Sequence, residues 1–283
     1  MSNGLNISLK SYDSIFQSEE QRNTEEIKPV PISELKPFTE QPFKVKLDED
    51  MDELMESIKQ FGVLTPVIAR PHKDSGYEIL SGHRRVKACE LAGITDIPVV
   101  VKNLDDDTAT ILLVDSNLQR EHILPSEKAF AYQMKLEAMK RKAGRPSKEN
   151  PRQIVGNLES ADILGQDTGE SGRQIQRYIR LTNLIDPILD MVDNNQIAMN
   201  AAVEISYLGS KEQAAVMQSI EKEETSPSIA QARKMRKFHQ DGNLSNAVID
   251  SIMMEQKPET VKITLGEDKL KKYFPKSYSK AKM

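Results

Sequence analysis

A change in hydrophobic periodicity near residue 125 constrains the fold more than any other feature of the chain. Before that point, short apolar runs typical of strands alternate with amphipathic helical segments. From Ser126 to Met254 every periodic segment has helical spacing. Because a sheet is covered by helices whereas helices alone pack as a bundle, the pattern predicts an α+β chain. A small N-terminal α/β lobe is expected to precede an all-α domain.

The 283 residues leave room for both units and for tails. We predict a flexible tail over residues 1–30, the α/β lobe over 31–125, the helical domain over 126–240, and a C-terminal helix with a short tail over 241–283. Ser126 is the expected N-cap of the first helix after the boundary. The elements expected within the lobe are a helix at 48–61, a hairpin of 66–70 with 77–80, a helix at 81–91, a strand at 97–101 and a helix at 105–119.

Charge and composition narrow the functional class. The net charge is −4, from 39 basic and 43 acidic residues, but residues 135–180 carry ten Lys or Arg against six Asp or Glu. Such a local basic excess is typical of a nucleic-acid contact. The chain has no apolar run of about 18 residues, and its first residues lack the features of a signal peptide. We therefore expect a cytoplasmic protein with no membrane partner.

Cysteine and histidine usage excludes two kinds of site. Cys89 is the only cysteine, so no internal disulfide forms, and its helical, apolar surroundings predict a buried structural thiol rather than a nucleophile. The four histidines are widely separated and no cysteine cluster accompanies them. Zinc-ligand spacing is therefore absent.

The segment Ser81-Gly82-His83-Arg84-Arg85 lies at a predicted strand-to-helix turn. A helix start exposes unpaired backbone N–H groups and the positive end of its dipole, and the two arginines add fixed charge. The arrangement suits a bound phosphate. The alternative is a solvated turn with two surface arginines.

A second polar segment, Asp115 to Glu121, ends the last helix of the lobe. The amide carbonyl of Asn117 could hold a hydrated Mg²⁺ beside a polyphosphate, and Arg120 could bind another phosphate oxygen. Polar helix ends without any ligand are the alternative.

Residues 160–184 read as two helices joined by a glycine-containing turn, the second beginning at Ser171. On a helical wheel, one face of the second helix is basic and polar, and the opposite face carries Ile175, Ile179 and Thr182. The polar side chains are Arg173, Gln174, Arg177 and Arg180. Arg and Gln read base edges and phosphates, so a helix-turn-helix is predicted, with a basic bundle helix as the alternative. A basic loop at 140–152 is a weaker candidate for DNA contact.

In this order the segments resemble the ParB family of partition proteins. The matching residues are Gln41-Pro42, Gly82-His83-Arg84-Arg85, Asn117-Leu118-Gln119-Arg120 and the helix pair from Ala161 to Leu184. The resemblance covers roughly Pro31 to Leu208. Each box alone is weak, but their order and spacing together are specific.

The resemblance implies an N-terminal lobe that binds CTP with Mg²⁺ and a helical domain that binds a palindromic, centromere-like DNA site. Residues Gly82, His83, Arg84, Arg85, Asn117 and Arg120 would contact the nucleotide, with Asn117 positioning the metal. Residues Ser171, Arg173, Gln174, Arg177 and Arg180 would contact DNA. It further implies a homodimer that closes into a sliding clamp, an inverted-repeat target, a ParA-like ATPase partner, and association with the nucleoid or a plasmid.

Three departures from the family pattern bear on catalysis. Many relatives have Arg where this chain has Phe43, and Glu where it has His83 and Ser116. Without those carboxylates, ligands that could hold the metal and orient water are missing, so at most slow CTP hydrolysis is expected.

The first functional interpretation is a partition protein with a CTP-dependent switch. The second is a transcriptional or plasmid-maintenance regulator with a nucleotide-silent lobe. A phosphotransferase or nuclease is the least favoured, because no P-loop and no dense carboxylate cluster near Arg84 are present.

Overall fold

The computed structural model describes residues 27–39, 41–120, 122–142, 161–165 and 168–255. Within these residues one sheet has the strands β1 (Ile27–Pro31), β2 (Leu35–Pro37), β3 (Val67–Pro71), β4 (Tyr77–Ser81) and β5 (Asp96–Val101). The helices of the same lobe are α1 (Glu49–Phe61), α2 (His83–Leu91) and α3 (Asp106–Leu118). The helices that follow are α4 (Pro125–Lys142), α5 (Gly172–Arg180), α6 (Asp186–Asp193), α7 (Met199–Ile205), α8 (Ser210–Glu223), α9 (Ile229–Gln240) and α10 (Asn246–Met254), and residues 161–165 are also helical. The predicted class, an α+β chain with a mixed lobe before a helical region, is confirmed.

The sheet is mixed and has the order β1-β5-β3-β4-β2. Strand β3 pairs in parallel with β5 and antiparallel with β4, which forms the predicted hairpin. The hairpin turn contains Gly76 at φ +74°, where a Cβ would overlap the backbone carbonyl of Glu34. Glycine is therefore required at this turn on two counts, conformation and space.

Strand β1 corrects the predicted boundary of the N-terminal tail. It begins at Ile27, inside the segment assigned to the tail, and pairs antiparallel with β5 at the sheet edge. Its sequence carries prolines at 29 and 31, which obscure a strand pattern but are tolerated on an edge strand. Val30 is buried in the lobe core, so the strand is held by packing as well as pairing. Residues 1–26 of the predicted tail lie outside the described residues.

The largest hydrophobic clusters of the lobe and of the helical region are separate, and a smaller cluster of Phe43, Val114 and Ala131 joins the lobe to α4. The lobe core contains Met51, Val67, Cys89 and Val99, whereas Ile188, Ile205 and Met235 belong to the core of the helical region. The Cys89 side chain is fully buried, as predicted. Burial raises the pKa of this thiol, against the opposing effect of Arg85, so it stays protonated at neutral pH.

The start of helix α4 is bound by a carboxylate from another helix of the same region. Ser126 was predicted to be its N-cap, but the helix already begins at Pro125, so this prediction is wrong. The Ser126 backbone N–H and hydroxyl instead donate to the two carboxylate oxygens of Asp193 at 2.9 and 2.5 Å. A carboxylate from α6 thus binds a free amide at the start of α4, which no local pattern reveals.

The middle of α4 packs against α3 through a buried ion pair. Lys135 Nζ lies 2.5 Å from Asp115 Oδ1, and the lysine side chain is only 3% exposed. Such a pair fixes the register of two helices because each charge is costly to bury alone. Within the described ranges, no helix combines the length and apolar character needed to cross a membrane.

Candidate functional site

The start of α2 has the geometry predicted for a phosphate site. Gly82 is its N-cap, at φ +103°, and no side chain caps the first amides of the helix. A Cβ on Gly82 would lie 3.0 Å from Val67 Cγ2 and 3.2 Å from Arg85 Nη2. Glycine therefore lets the chain turn sharply from β4 into α2 and leaves the helix N–H groups available to an anion.

His83 is the first residue of α2, and its side chain is buried. The residue is 6% exposed, and among the described residues neither ring nitrogen has a hydrogen-bond partner. Burial, and then the positive charge of Arg120, lowers the pKa of His83 to about 4. The ring is therefore neutral at pH 7. His83 was predicted from the sequence to contact the nucleotide, but its burial was not predicted.

The arginines predicted around this turn divide into two groups. Arg85 donates to the backbone carbonyls of Thr65 and Pro66, the latter at 2.8 Å, so it supports the loop before β3. Arg84 donates to Asp48 Oδ1 at 3.0 Å and remains 30% exposed. Arg84 is therefore available to an anion that competes with one exposed carboxylate, whereas Arg85 serves the fold.

Arg120 approaches the same turn from the end of α3. Its guanidinium lies 5.7 Å from the centre of the Phe43 ring, a cation–π distance. Burial lowers the pKa of Arg120, the charge of Glu127 raises it, and that of Arg84 lowers it. His83, Arg84 and Arg120 thus interact electrostatically at the N-terminus of α2, which concentrates positive potential there.

Asn117 and Ser116 lie at the end of α3, against β4. Asn117 is 2% exposed, and its Nδ2 donates to the Leu113 carbonyl at 2.8 Å. The Ser116 hydroxyl donates to the same carbonyl at 3.0 Å and to that of Leu80 at 3.5 Å. The Ser116 contact joins the end of α3 to β4, the strand that leads into the turn at Gly82. In the part of the chain that the structure describes, no three His, Cys, Asp or Glu side chains are grouped to hold a metal ion.

Glu127 is a member of this region that sequence reasoning missed. It is buried, and it accepts hydrogen bonds from the backbone N–H of Lys44 at 2.8 Å and of Leu124 at 3.1 Å. An acidic residue in the first turn of a helix is ordinary, so the pattern gave no signal. Its contacts tie the segment that carries Phe43 to the start of α4.

Helix α5 begins as predicted and packs closely on residues 161–165. The Ser171 hydroxyl caps it by accepting from the Gln174 N–H at 3.2 Å. A Cβ on Gly172 would overlap the Asp162 carboxylate, and one on Gly165 would overlap the Glu170 carbonyl. The two helical segments can meet at this distance only because both positions are glycine.

The predicted polar face of α5 is only partly free. Arg173 is exposed, whereas Arg177 donates to Asn200 and to Gln174 Oε1. Arg180 donates to the Ser206 carbonyl at 2.9 Å and stacks 4.0 Å above the Tyr207 ring. The Arg180 side chain therefore positions α5 against α7 and the segment that follows it, a role that no pattern within α5 could show.

The basic loop predicted at 140–152 is described only at its start. There, Arg141 donates to Asp107 at 2.6 Å and Lys142 to the Thr108 hydroxyl at 2.7 Å, both on α3. Residues 143–152 lie outside the described residues, and so does the predicted DNA contact of the loop.

Comparison with known protein families shows what the N-terminal lobe is similar to. Residues 16–118 match the family model of the ParB N-terminal domain. This part of the chain is similar to the ParB N-terminal domain. The match contains the turn at Gly82, so the resemblance read from the sequence boxes is confirmed for the lobe. It ends at Leu118, just before Arg120.

Similar proteins include ParB and nucleoid occlusion proteins. The chain is 34% identical over 155 residues to a probable chromosome-partitioning protein ParB of Neisseria meningitidis, covering 55% of this chain and 48% of that protein. It is 30% identical over 194 residues to a nucleoid occlusion protein of Geobacillus sp., covering 68% and 62%. The chain thus spans about half to three fifths of the relatives it matches.

Solved structures of C-terminally truncated ParB from Caulobacter crescentus are also similar. The complex with the centromeric parS site is 22% identical, covers 80% of this chain and 98% of that chain, and has a TM-score of 0.43. The complex with CTP-gamma-S is 25% identical, covers 69% and 98%, and has a TM-score of 0.32.

Proposed function

We propose that this protein is a partition-type DNA-binding protein. Its ParB-like N-terminal domain binds CTP, and CTP binding controls its affinity for DNA. The observation that carries the proposal is the N-terminus of α2, where an uncapped helix start meets Arg84, with Arg120 adding positive charge. A polyphosphate is the ligand class that this arrangement suits. CTP is the nucleotide that the ParB resemblance implies.

DNA recognition is assigned to α5, as the second helix of a helix-turn-helix. The close glycine contact with residues 161–165 and the exposed Arg173 support this assignment. A homodimer would place two such helices on an inverted repeat, since two-fold symmetry in the protein requires it in the site. A ParA-like ATPase partner and association with nucleoid or plasmid DNA follow from the same resemblance.

Hydrolysis of CTP is expected to be slow at most. The lobe would bind the nucleotide through helix amides and arginines, but His83 and Ser116 offer no carboxylate to orient water. A nucleotide that is bound and only slowly hydrolysed acts as a switch ligand, because its occupancy rather than its turnover sets the state of the protein.

A nucleotide-silent regulator is the second candidate, and one observation favours it. Arg85, a member of the predicted phosphate set, is already bonded to Thr65 and Pro66 carbonyls. If the remaining groups were insufficient for a triphosphate, α5 would still bind DNA. The two candidates differ in whether CTP changes DNA affinity.

Calorimetric titration of the full chain with CTP, with and without DNA carrying inverted repeats from its genomic neighbourhood, separates them. We expect CTP binding that strengthens with one specific DNA, since both ligands would favour the same state. Heat from the DNA alone, with no CTP binding in any condition, would support the silent regulator.

The DNA-binding assignment predicts the effect of two charge-removing variants. Arg173→Ala should weaken specific DNA binding by roughly tenfold to a hundredfold, because an exposed arginine on a recognition helix contributes about 1–3 kcal/mol. Its melting temperature should not change. Arg177→Ala should also weaken DNA binding, but by a smaller factor, because the Arg177 side chain is partly used by its hydrogen bond to Asn200.

Arg233→Ala is the matched control for these variants. It removes one positive charge from an exposed side chain on α9, whose partner Glu204 keeps Arg236 at 2.9 Å. DNA affinity should stay within about twofold of the wild type. Equal losses for Arg173→Ala and Arg233→Ala in a fluorescence anisotropy titration would show that only overall charge matters, and would remove α5 from the recognition role.

A further inference from the structure

The buried imidazole of His83 lies at the proposed phosphate site with its polar atoms unused. Among the described residues neither ring nitrogen has a hydrogen-bond partner, and the residue is only 6% exposed. Polar atoms are rarely left buried and unpaired, and an unpaired group in a native fold calls for an explanation such as a ligand. His83 is also the first residue of α2, whose amides are uncapped. The imidazole and the helix N-terminus therefore point to one ligand.

The charges around His83 specify an anion. Arg120 acts on the ring with its positive charge, and Arg84 acts on Arg120 in the same sense. The ring itself is neutral at pH 7, because its pKa is lowered to about 4. A neutral imidazole carries one N–H and therefore donates one hydrogen bond.

In the described part of the lobe and of α4, Asp48, Glu127 and Asp115 are already engaged. Asp48 accepts from Arg84 at 3.0 Å and from the Met51 N–H at 3.1 Å. Glu127 accepts from two backbone amides, and Asp115 pairs with Lys135 at 2.5 Å. Among the described residues, none of these acidic side chains is grouped with others as a metal site requires.

The groups present do not fit the Mg²⁺ that the ParB resemblance implies. Mg²⁺ is a hard cation that favours carboxylate and phosphate oxygens in near-octahedral geometry. At the two positions where many relatives have Glu, this chain has the neutral His83 and Ser116, and the Ser116 hydroxyl donates to backbone carbonyls. Arg84 and Arg120 further raise the local positive potential, which opposes a divalent cation.

We propose that this site binds a nucleoside triphosphate without requiring a divalent cation, with the His83 imidazole donating a hydrogen bond to a phosphate oxygen. The inference rests on the proposed nucleotide function and concerns how the negative charge is neutralised. The arginines and the α2 amides balance the phosphate charge that a metal ion would otherwise balance. At this position many relatives have a glutamate that could bind a metal ion, whereas His83 would contact the nucleotide directly.

The test is calorimetric titration of the full chain with CTP, either in roughly 5 mM Mg²⁺, which saturates the nucleotide with metal, or in EDTA. The wild type is expected to bind with affinities that agree within about threefold in the two buffers. Loss of wild-type CTP binding in EDTA, with binding kept in Mg²⁺, would overturn this inference and leave the proposed function standing. Absence of CTP binding in both buffers would overturn the proposed function itself.

Two substitutions at the same position identify the role of the imidazole. His83→Glu restores the carboxylate and is expected to weaken CTP binding in EDTA at least tenfold while Mg²⁺ recovers most of the loss, because the carboxylate repels free triphosphate but can hold a metal. His83→Gln keeps a hydrogen-bond donor and should stay within about threefold of the wild type in both buffers. Thermal melts identify any variant that fails to fold. If folded His83→Glu binds CTP equally in EDTA and in Mg²⁺, His83 does not contact the phosphates and the inference fails.

Discussion

Replacing Lys135 by methionine is expected to lower the free energy of unfolding by about 3–5 kcal/mol, because it removes the buried cation that neutralises the Asp115 carboxylate. Lys135 is 3% exposed and Asp115 15% exposed, and their charged atoms are 2.5 Å apart at the contact between α3 and α4. Methionine keeps most of the lysine's volume, so the loss reports the charge rather than a cavity. Urea unfolding monitored by circular dichroism measures it.

Two further variants test the cause of that loss. Lys59→Met removes the lysine of the exposed Lys59–Glu56 pair at 2.8 Å, and should change stability by less than about 0.5 kcal/mol. The double variant Lys135→Met with Asp115→Leu should recover much of the loss, because no buried charge is then left unpaired. A loss below about 1 kcal/mol for Lys135→Met would show that Asp115 is hydrated or otherwise paired.

Where the sequence carried its own local signals, the predicted elements agree closely with the structure. A helix was predicted at 48–61, and α1 is observed at Glu49–Phe61 with Asp48 as its N-cap and Gly62 as its C-cap. The hairpin predicted from the apolar runs 66–70 and 77–80 is observed as β3 and β4. Ser171 caps α5 as expected. In each case the decisive interaction joins residues a few positions apart, so a local pattern contains it.

The sequence is uninformative where a partner distant in sequence decides which contacts a side chain makes. Ser126 binds Asp193, which is 67 residues away, so its capping preference could not show its actual contact. Arg180 lies on the expected face of α5, but Ser206 and Tyr207 hold it. The burial of His83, which is 6% exposed, likewise has no signal in its neighbouring residues. Periodicity assigns a residue to a face, but only tertiary packing determines what that face contacts.

The turn at Gly82 and the polar end of α3 were both predicted from the sequence, but the separate partners of their side chains were not. The fold brings the charge of Arg120 to His83 at that turn. The sequence could not show that Arg85 is used by two backbone carbonyls or that Glu127 ties the Phe43 segment to α4. Adjacent arginines look equivalent in a motif, and their separate partners make them different.

Gly82→Ala is expected to give the largest loss of nucleotide binding of any single methyl group added to the lobe. An alanine at φ +103° is strained, at a cost of about 1–3 kcal/mol in stability. Its Cβ would also press on Val67 Cγ2 at 3.0 Å and Arg85 Nη2 at 3.2 Å. The start of α2 must then shift, which misaligns the amides that would face the phosphates. We expect CTP affinity to fall at least tenfold, or about 1.4 kcal/mol, by calorimetry.

Gly93→Ala is the matched control because it lies just beyond the other end of the same helix. Gly93 has φ +73° and nothing within 4 Å of a Cβ, so alanine there adds strain without crowding. Its stability should fall by about 1 kcal/mol, and its CTP affinity should remain that of the wild type. Equal CTP affinities for the two folded variants would mean that the N-terminus of α2 does not hold the phosphates. A loss confined to Gly82→Ala would tie nucleotide binding to the backbone geometry of that turn, independently of any side chain in the motif.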